Sequence, residues 1–492
     1  MNVNPITRLD YPDPDVIRVE DTYYMVSTTM HFMPGCEILQ SFDLVHWEHV
    51  TYVYETLDHT DAQQLKSGQN IYGQGMWAAS LRYHEGRFCI CFVANDTRKT
   101  YLYTSEKIDG PWKKQLIEGF YHDGSLLFDE DGRNYIVYGN DEIWITELNE
   151  DLTAPKKDGL HRLLVSDHKN PELGYEGSHI QKINGYYYIF LIHSLRDRWM
   201  RTEACFYSDS LEGEFTGGDV LCDDRGYCGQ GVAQGGIVDT PDGKWYAMLF
   251  QDSGAVGRIP ILLPVTWKDH FPVFGQNGHV PEEIEVHSTR PGYIYQPLVG
   301  SDDFCNGLLP RWQFNHDPDP RYYHLDALQG TYTITTREVC TELTQAVNTL
   351  TQRMSYPSCA AEVTVDASAL KEGDVAGLCA LQSCYAAVGI TKHHGKYEVL
   401  MLDKKEDGIL DMTEGTVVES HQMDFRLEAD FCNMKDEARC YYRVNKGDWL
   451  PIGTVHKLYF KLDHFTGCRF GLFCYAAEET GGSACFRDFK YY

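Results

Sequence analysis

Over the first three hundred residues, apolar side chains come in short runs, each opened by a glycine or polar turn and rich in aromatic and β-branched residues. Five runs share this form: Asp21-Thr22-Tyr23-Tyr24-Met25-Val26, Gly86-Arg87-Phe88-Cys89-Ile90, Gly132-Arg133-Asn134-Tyr135-Ile136-Val137, Gly185-Tyr186-Tyr187-Tyr188-Ile189 and Gly243-Lys244-Trp245-Tyr246-Ala247-Met248. A turn followed by a compact apolar run is the pattern of a hairpin's second strand. With Tyr23, Phe88, Tyr135, Tyr187 and Tyr246 as markers, the pattern recurs at intervals of roughly 47–65 residues. A second turn repeats behind three of these strands: Ser41-Phe42-Asp43-Leu44 with Trp47, Ser105 with Gly110-Pro111-Trp112, and Ser208-Asp209-Ser210-Leu211 with Gly213 and Phe215. No sustained 3.6-residue apolar period competes. Four-stranded units at this spacing are the blades of a β-propeller, and five of them fill residues 1–295.

Beyond about residue 300 the blade pattern stops. Alternating runs such as Gly330-Thr331-Tyr332-Thr333-Ile334-Thr335, Cys359-Ala360-Ala361-Glu362-Val363-Thr364-Val365, Phe470-Gly471-Leu472-Phe473-Cys474-Tyr475 and Ala484-Cys485-Phe486-Arg487-Asp488-Phe489 read as strands of a β-sandwich, jelly-roll-like, over residues 300–492. A chain of 492 residues exceeds what one core usually serves. The expected protein is therefore all-β with two domains, joined near Gly292 to Gly300.

In a propeller the innermost strand of each blade lines a central channel, so residues at one phase of the repeat converge there. About 10–12 residues upstream of the five markers stand Asp13, Trp77, Asp123, Glu176 and Gln234. Singly, each carboxylate could be a turn cap; three at a shared phase point to a common pocket. Their settings are unusual as well. Asp13 lies between prolines in Tyr11-Pro12-Asp13-Pro14, Asp123 stands in His122-Asp123-Gly124-Ser125, and Glu176 has glycine neighbours in Gly174-Tyr175-Glu176-Gly177-Ser178-His179. Carboxylates crowded in a partly dry pocket raise one another's pKa, which keeps one protonated as a general acid near neutral pH.

Composition narrows the partners. A formal charge of −29 disfavours nucleic acid and anionic membrane and suits a neutral oligosaccharide. Abundant aromatics serve both β-structure and sugar-binding surfaces. The 16 cysteines sit singly within apolar runs, as in Phe88-Cys89-Ile90-Cys91-Phe92, and read as small buried hydrophobes of a reducing compartment. With no basic segment followed by an apolar stretch near the start, a cytoplasmic protein is expected. Asp129-Glu130-Asp131-Gly132 lacks the distal Glu of a calcium loop, Gly229-Gln230-Gly231 lacks the lysine of a phosphate loop, and no Gly-x-Ser-x-Gly elbow occurs. No organic cofactor is expected.

These motifs together resemble glycoside hydrolase family 43. The resemblance rests on Asn4-Pro5 with Pro12-Asp13-Pro14, on Asp123 before Phe128-Asp129-Glu130-Asp131-Gly132, and on Glu176-Gly177-Ser178-His179 before Ile183-Asn184-Gly185-Tyr186-Tyr187. Gly75-Met76-Trp77-Ala78 and Gly257-Arg258 add to it. It implies an inverting hydrolase with Glu176 as general acid, Asp13 as general base and Asp123 orienting Glu176 and holding its proton. Acid and base should then stand roughly 6.5–9.5 Å apart. The same resemblance implies that Arg258 binds sugar hydroxyls, that Trp77 stacks on the sugar ring, and that Met30, His31 and Phe32 shape the terminal-sugar pocket. Gln234 stands where many members carry a histidine that organises a water or a calcium ion, so a calcium site is in doubt and the chemistry needs no metal. The reading is an exo-acting α-L-arabinofuranosidase with β-D-xylosidase activity. A primary β-D-xylosidase, an endo-arabinanase and a non-catalytic sugar-binding propeller are the alternatives, and the pattern specifies no oligomeric state.

Overall fold

The computed structural model describes residues 2–492 and is all-β; its only helical segments among the described residues are three single 3₁₀ turns. Five four-stranded antiparallel sheets follow one another along the chain. Their innermost strands are Asp15–Val19, Met76–His84, Ser125–Phe128, Glu176–Ile183 and Val232–Asp239. Each of the five aromatic markers lies on the second strand of its blade: Thr22–Val26, Arg87–Ala94, Asn134–Asn140, Tyr186–Ser194 and Trp245–Asp252. This is the five-bladed propeller that the repeat predicts. Blade five is built entirely from contiguous chain, so the ring is closed by side chains and a short clasp. Asn2–Val3 pairs with Glu283–Ile284, the Asn4 amide donates to the carbonyls of Leu262 and Pro281, and Arg18 of blade one pairs with Asp239 of blade five.

One irregularity repeats in every blade. Where the inner strand begins, two residues face one on the second strand. Trp77 pairs with Val93 but Ser80 with Cys91; Glu176 pairs with Ile192 but His179 with Phe190; Ala233 pairs with Phe250 but Gly236 with Met248. Blades one and three do the same through Pro12 with Thr28 and His122 with Gly139, ahead of Asp15 with Val26 and Ser125 with Val137. These are β-bulges, which kink a strand and re-aim its side chains. Their first residues are Asp13, Ala78, Asp123, Gly177 and Gln234, and all but Ala78 have left-handed φ, from 48° to 65°.

Immediately past the bulges a belt of hydrogen bonds ties the blades together. Asp15 accepts from the Leu81 amide at 2.7 Å, Ser80 from Leu126 at 3.1 Å, and Ser125 from Ile180 at 3.1 Å. Arg82 crosses the channel, donating to Asp15, Ser125 and the Leu126 carbonyl, while His179 Nδ1 lies 3.0 Å from the other Asp15 oxygen. Burial pushes the Asp15 carboxyl up, but the Arg82 charge and the His179 hydrogen bond outweigh it and hold the group below its ordinary value.

The second domain is a sandwich of two antiparallel sheets. One runs Gln313–Phe314, Leu350–Arg353, Arg469–Tyr475, Val375–Leu381, Tyr385–His393, Lys396–Lys404 and Leu410–Met412, with Thr416–Val418 also on Lys396–Lys404. The other runs Tyr323–Asp326, Thr331–Thr335, Ser483–Tyr491, Ser358–Asp366, Gln422–Asp430, Glu437–Val444 and Leu450–Lys457. Phe425, Phe470, Leu472 and Phe486 fill the space between them, and Ala255, Val256 and Ile259 of blade five belong to the same apolar cluster, so the two domains share a core. Most of the cysteines are buried and all are free thiols; Cys222, Cys228, Cys305 and Cys432 are exposed. No helix among the described residues is long and apolar enough to cross a membrane.

Replacing Asp15 by leucine leaves the Arg82 guanidinium buried without its carboxylate. The expected loss is about 3–5 kcal/mol of unfolding free energy, measured by urea titration. Because the folded-state pKa of Asp15 is depressed, the wild-type contribution is complete above the ordinary carboxylate range and is lost as pH falls through the folded value.

Candidate active site

The bulges aim five side chains into one end of the channel, from two adjacent positions. Asp13, Asp123 and Gln234 are first residues of their bulges, whereas Trp77 and Glu176 occupy the place just before. The single phase expected from the sequence is therefore two neighbouring registers, and His122 shares that of Glu176. Together they line a cavity of about 190 Å³ with Leu173, Trp199, Arg201, Arg258, Leu462 and Phe465.

Each carboxylate is held by named partners. Asp13 accepts from Arg258 at 2.6 Å and from the Thr28 hydroxyl at 2.5 Å, and Thr28 in turn accepts the Ala78 amide of the next blade's bulge. Asp123 accepts the Gly177 amide at 3.1 Å, and Glu176 accepts Asn140 Nδ2 at 2.7 Å. His122 Nε2 lies 3.5 Å from Glu176 and 3.7 Å from Asp123. Burial raises Asp123 to about 6; the His122 charge opposes this while Glu176 and Asp13 add to it. Burial also pushes Glu176 up, but the close, charged His122, then Arg201 and Arg258, outweigh it and leave the carboxyl below its ordinary value. The charge of Asp123 lifts His122 to about 9 against its own burial, with help from Glu176 and Asp13. His122 thus carries its proton near neutral pH, between two carboxyls that are shifted in opposite directions.

Asp252 bridges two buried arginines, accepting from Arg201 Nε at 2.6 Å and from Arg258 Nε at 3.2 Å. The terminal amino groups of Arg201 have no partner among the described residues, although the side chain is only 2% exposed. They are donors available to a ligand. Gln234 is buried; its amide donates to Glu203 at 2.7 Å, and burial raises the Glu203 carboxyl well above its ordinary value.

The second domain completes the wall. Its loop after Leu450–Lys457 carries Leu462 and Phe465 to the pocket, where the Phe465 ring lies 3.8 Å from the Arg258 guanidinium carbon and packs edge-on against Trp77 at 5.1 Å. Met30, His31 and Phe32, expected to shape the pocket, do not line it. Second-domain residues, with Tyr72 of the propeller, cover them: Met30 Sδ accepts from Thr466, the Phe32 ring lies under the Arg469 guanidinium, and His31 packs among His316, His464 and Tyr72. His122, Asn140, Trp199, Arg201, Leu462 and Phe465 are the lining or supporting residues that sequence reasoning missed. His122 stood inside a quoted motif; the others carry no local signal.

His122, Asp123 and Glu176 offer one ligand atom each, within 4.8 Å of one another. Calcium takes six to eight oxygens, and an imidazole with two carboxylates already bonded to Gly177 and Asn140 does not supply them. One layer down, the Arg82 guanidinium occupies the channel. The donor set does not fit calcium.

A sugar-sized pocket lined by three carboxylates on a five-bladed propeller is the site of a glycosidase. The chain belongs to glycoside hydrolase family 43: residues 3–272 match the model of glycosyl hydrolases family 43, and residues 301–492 that of the β-xylosidase C-terminal concanavalin A-like domain. A β-xylosidase of Formosa agariphila is 26% identical across 98% of this chain and 88% of its own. The non-reducing end α-L-arabinofuranosidase BoGH43B of Bacteroides ovatus is 24% identical across 83% of this chain and 79% of its own. The solved structure of a bifunctional GH43-CE protein of Bacteroides eggerthii is 42% identical with a TM-score of 0.93; it covers all of this chain, which spans 63% of that protein's length.

Replacing His122 by asparagine removes the positive charge that holds both carboxyls down. The alkaline limb of the kcat/KM profile should then move up by about one pH unit, since the acid keeps its proton longer. An unmoved limb would mean that His122 does not set it.

Proposed function

We propose that the protein is an inverting exo-glycosidase that removes single terminal pentoses, α-L-arabinofuranose with β-D-xylose as a second substrate, from short xylan- or arabinan-derived chains. The observation that carries this reading is the shape of the pocket. About 190 Å³ lies below the roughly 300 Å³ at which sites for larger ligands begin, and is room for one sugar ring. Leu462 and Phe465 of the second domain stand in its wall, which narrows the open cleft that an endo-acting enzyme needs.

In this reading Glu176 gives its proton to the leaving glycosidic oxygen. Asp13, fixed by Arg258 and Thr28, takes a proton from a water that attacks the anomeric carbon from the opposite face, so the configuration inverts. The Asp123–His122 pair beside Glu176 keeps that proton within the pocket. Two arginines offset Asp13 and Asp252, which leaves a site suited to a neutral sugar whose hydroxyls accept from Arg201 and meet the Trp77 face. No step calls for calcium. The β-xylosidase of Formosa agariphila supports the alternative that xylose is the preferred sugar, and the Bacteroides ovatus enzyme supports arabinose.

The test is hydrolysis of nitrophenyl α-L-arabinofuranoside and nitrophenyl β-D-xylopyranoside, with the anomer released followed by proton NMR. The expected result is activity on at least one, inversion, and a loss of at least about 10³-fold in kcat for Asp13→Ala. Glu176→Ala should lose most with poor leaving groups. Inactivity on both, with cleavage inside polymeric arabinan, would replace the exo reading with an endo one.

A further inference from the structure

The catalytic pocket draws its walls from both domains, so something must hold their parts in register. The groups that do so meet at Asp10, which lies three residues before Asp13 and is 2% exposed. One of its oxygens accepts the backbone amide of Arg258 at 2.8 Å; the other accepts that of Gly467 at 2.7 Å. Arg258 is the residue whose guanidinium binds Asp13 and faces the Phe465 ring. Gly467 lies two residues beyond Phe465, on the loop from the sandwich. The contacts therefore form a closed circuit: Asp10 to Arg258, Arg258 to Asp13 and to Phe465, and the Phe465 loop back to Asp10.

The packing leaves this circuit no slack. A Cβ on Gly257 would stand 2.1 Å from the Asp10 carboxylate, and φ there is +101°. A Cβ on Gly467 would stand 2.1 Å from the Val256 carbonyl and 3.0 Å from the Asp10 Cβ. Two glycines, one from each domain, let a single carboxylate reach two backbones. Arg353 of the sandwich sheet donates its side-chain Nε to the Asp10 carbonyl at 2.9 Å. Only an acceptor with two oxygens can satisfy both amides; these groups are buried, and leaving either unpaired is costly.

We propose that Asp10 is a positioning residue that sets the sandwich loop bearing Phe465 and the Arg258–Asp13 ion pair in one register, so that the pocket takes its working shape only when the two domains are docked. The proposal rests on the exo-glycosidase reading for its kinetic consequences, but its structural content is independent of it. Asp10 touches no substrate; it acts through Phe465 and Arg258.

Asp10→Asn is nearly isosteric and replaces one acceptor with a donor that opposes an amide. In the full chain, two measurements test it. Hydrogen exchange of the segment containing Gly467 should quicken at least tenfold relative to wild type. On the better nitrophenyl pentoside, kcat/KM should fall at least tenfold in Asp10→Asn, yet less than threefold when the same change is made in Phe465→Ala, because the two act through one wall. Glu37→Gln, at another buried domain-junction carboxylate paired with Arg353, should lower the urea midpoint while leaving kcat/KM within twofold. Wild-type kinetics in Asp10→Asn, or full additivity with Phe465→Ala, would overturn the proposal. If wild type hydrolyses neither pentoside, the exo-glycosidase reading falls, and unchanged exchange at Gly467 would separately show that the clamp does not hold the loop.

Discussion

The pocket depends on how buried bulges are satisfied. Each blade places two residues opposite one at the head of its inner strand, which frees a backbone amide in a place with little water. Such a donor must find a partner. The Gly177 amide finds Asp123, that of Gln234 finds Glu203, and that of Ala78 finds Thr28, whose hydroxyl passes to Asp13. The carboxylates that line the pocket are thus among the groups that close the bulges. Left-handed backbone at Asp13, Asp123 and Gln234 costs of order 1–3 kcal/mol each, and aspartate tolerates that region better than most residues. Local strain and placement in the pocket share the same residues here, and the belt of Asp15, Arg82 and His179 beneath them ties the strand heads of the first four blades together.

The electrostatics of the pocket follow from that crowding. Asp13, Asp123 and Glu176 converge from three blades, and each is answered by a different kind of partner: an ion pair for Asp13, an amide for Asp123, and an imidazole with an amide side chain for Glu176. Asp123 and Glu176 are therefore shifted in opposite directions. Asp123 is raised because burial wins over its neighbours; Glu176 is lowered because His122 and two arginines win over burial. The sequence expectation placed the retained proton on Glu176. The structure sets a raised His122 between Glu176 and Asp123, so the imidazole is the charge that opposes a proton on Glu176.

What could be read from the chain followed the range of the signal. The blade repeat is local: a turn, an aromatic run and a fixed interval, and all five marker strands fall where that pattern puts them. Asp13, Asp123 and Glu176 were legible because the same repeat carries them. The distinction between the two bulge positions was not, since a spacing of 10–12 residues spans both. Arg201 was hidden because it begins the third strand of its blade, at no phase shared with the carboxylates. Phe465 was hidden by distance: it is nearly four hundred residues from Trp77, in a loop with no periodicity. Met30, His31 and Phe32 lie on the expected side of the channel, but a loop from the other domain occupies the space their side chains were expected to fill.

That last displacement explains why the second domain is more than an appendage. A propeller's channel mouth is open on all sides, which suits a chain passing across it. Ending the chain in the site requires a wall, and Leu173 and Trp199 of the propeller supply only part of it. The sandwich supplies the rest from outside with Leu462 and Phe465, and the wall is useful only if it meets Trp77 and Arg258 closely. A flexible loop docked by apolar contact alone would slide on the sub-ångström scale that positioning demands. Hydrogen bonds from a buried carboxylate to two backbones, with glycines removing the intervening side chains, fix it more narrowly. The carboxylates of the pocket belong to the propeller, and the wall that faces them comes from the contact between the domains.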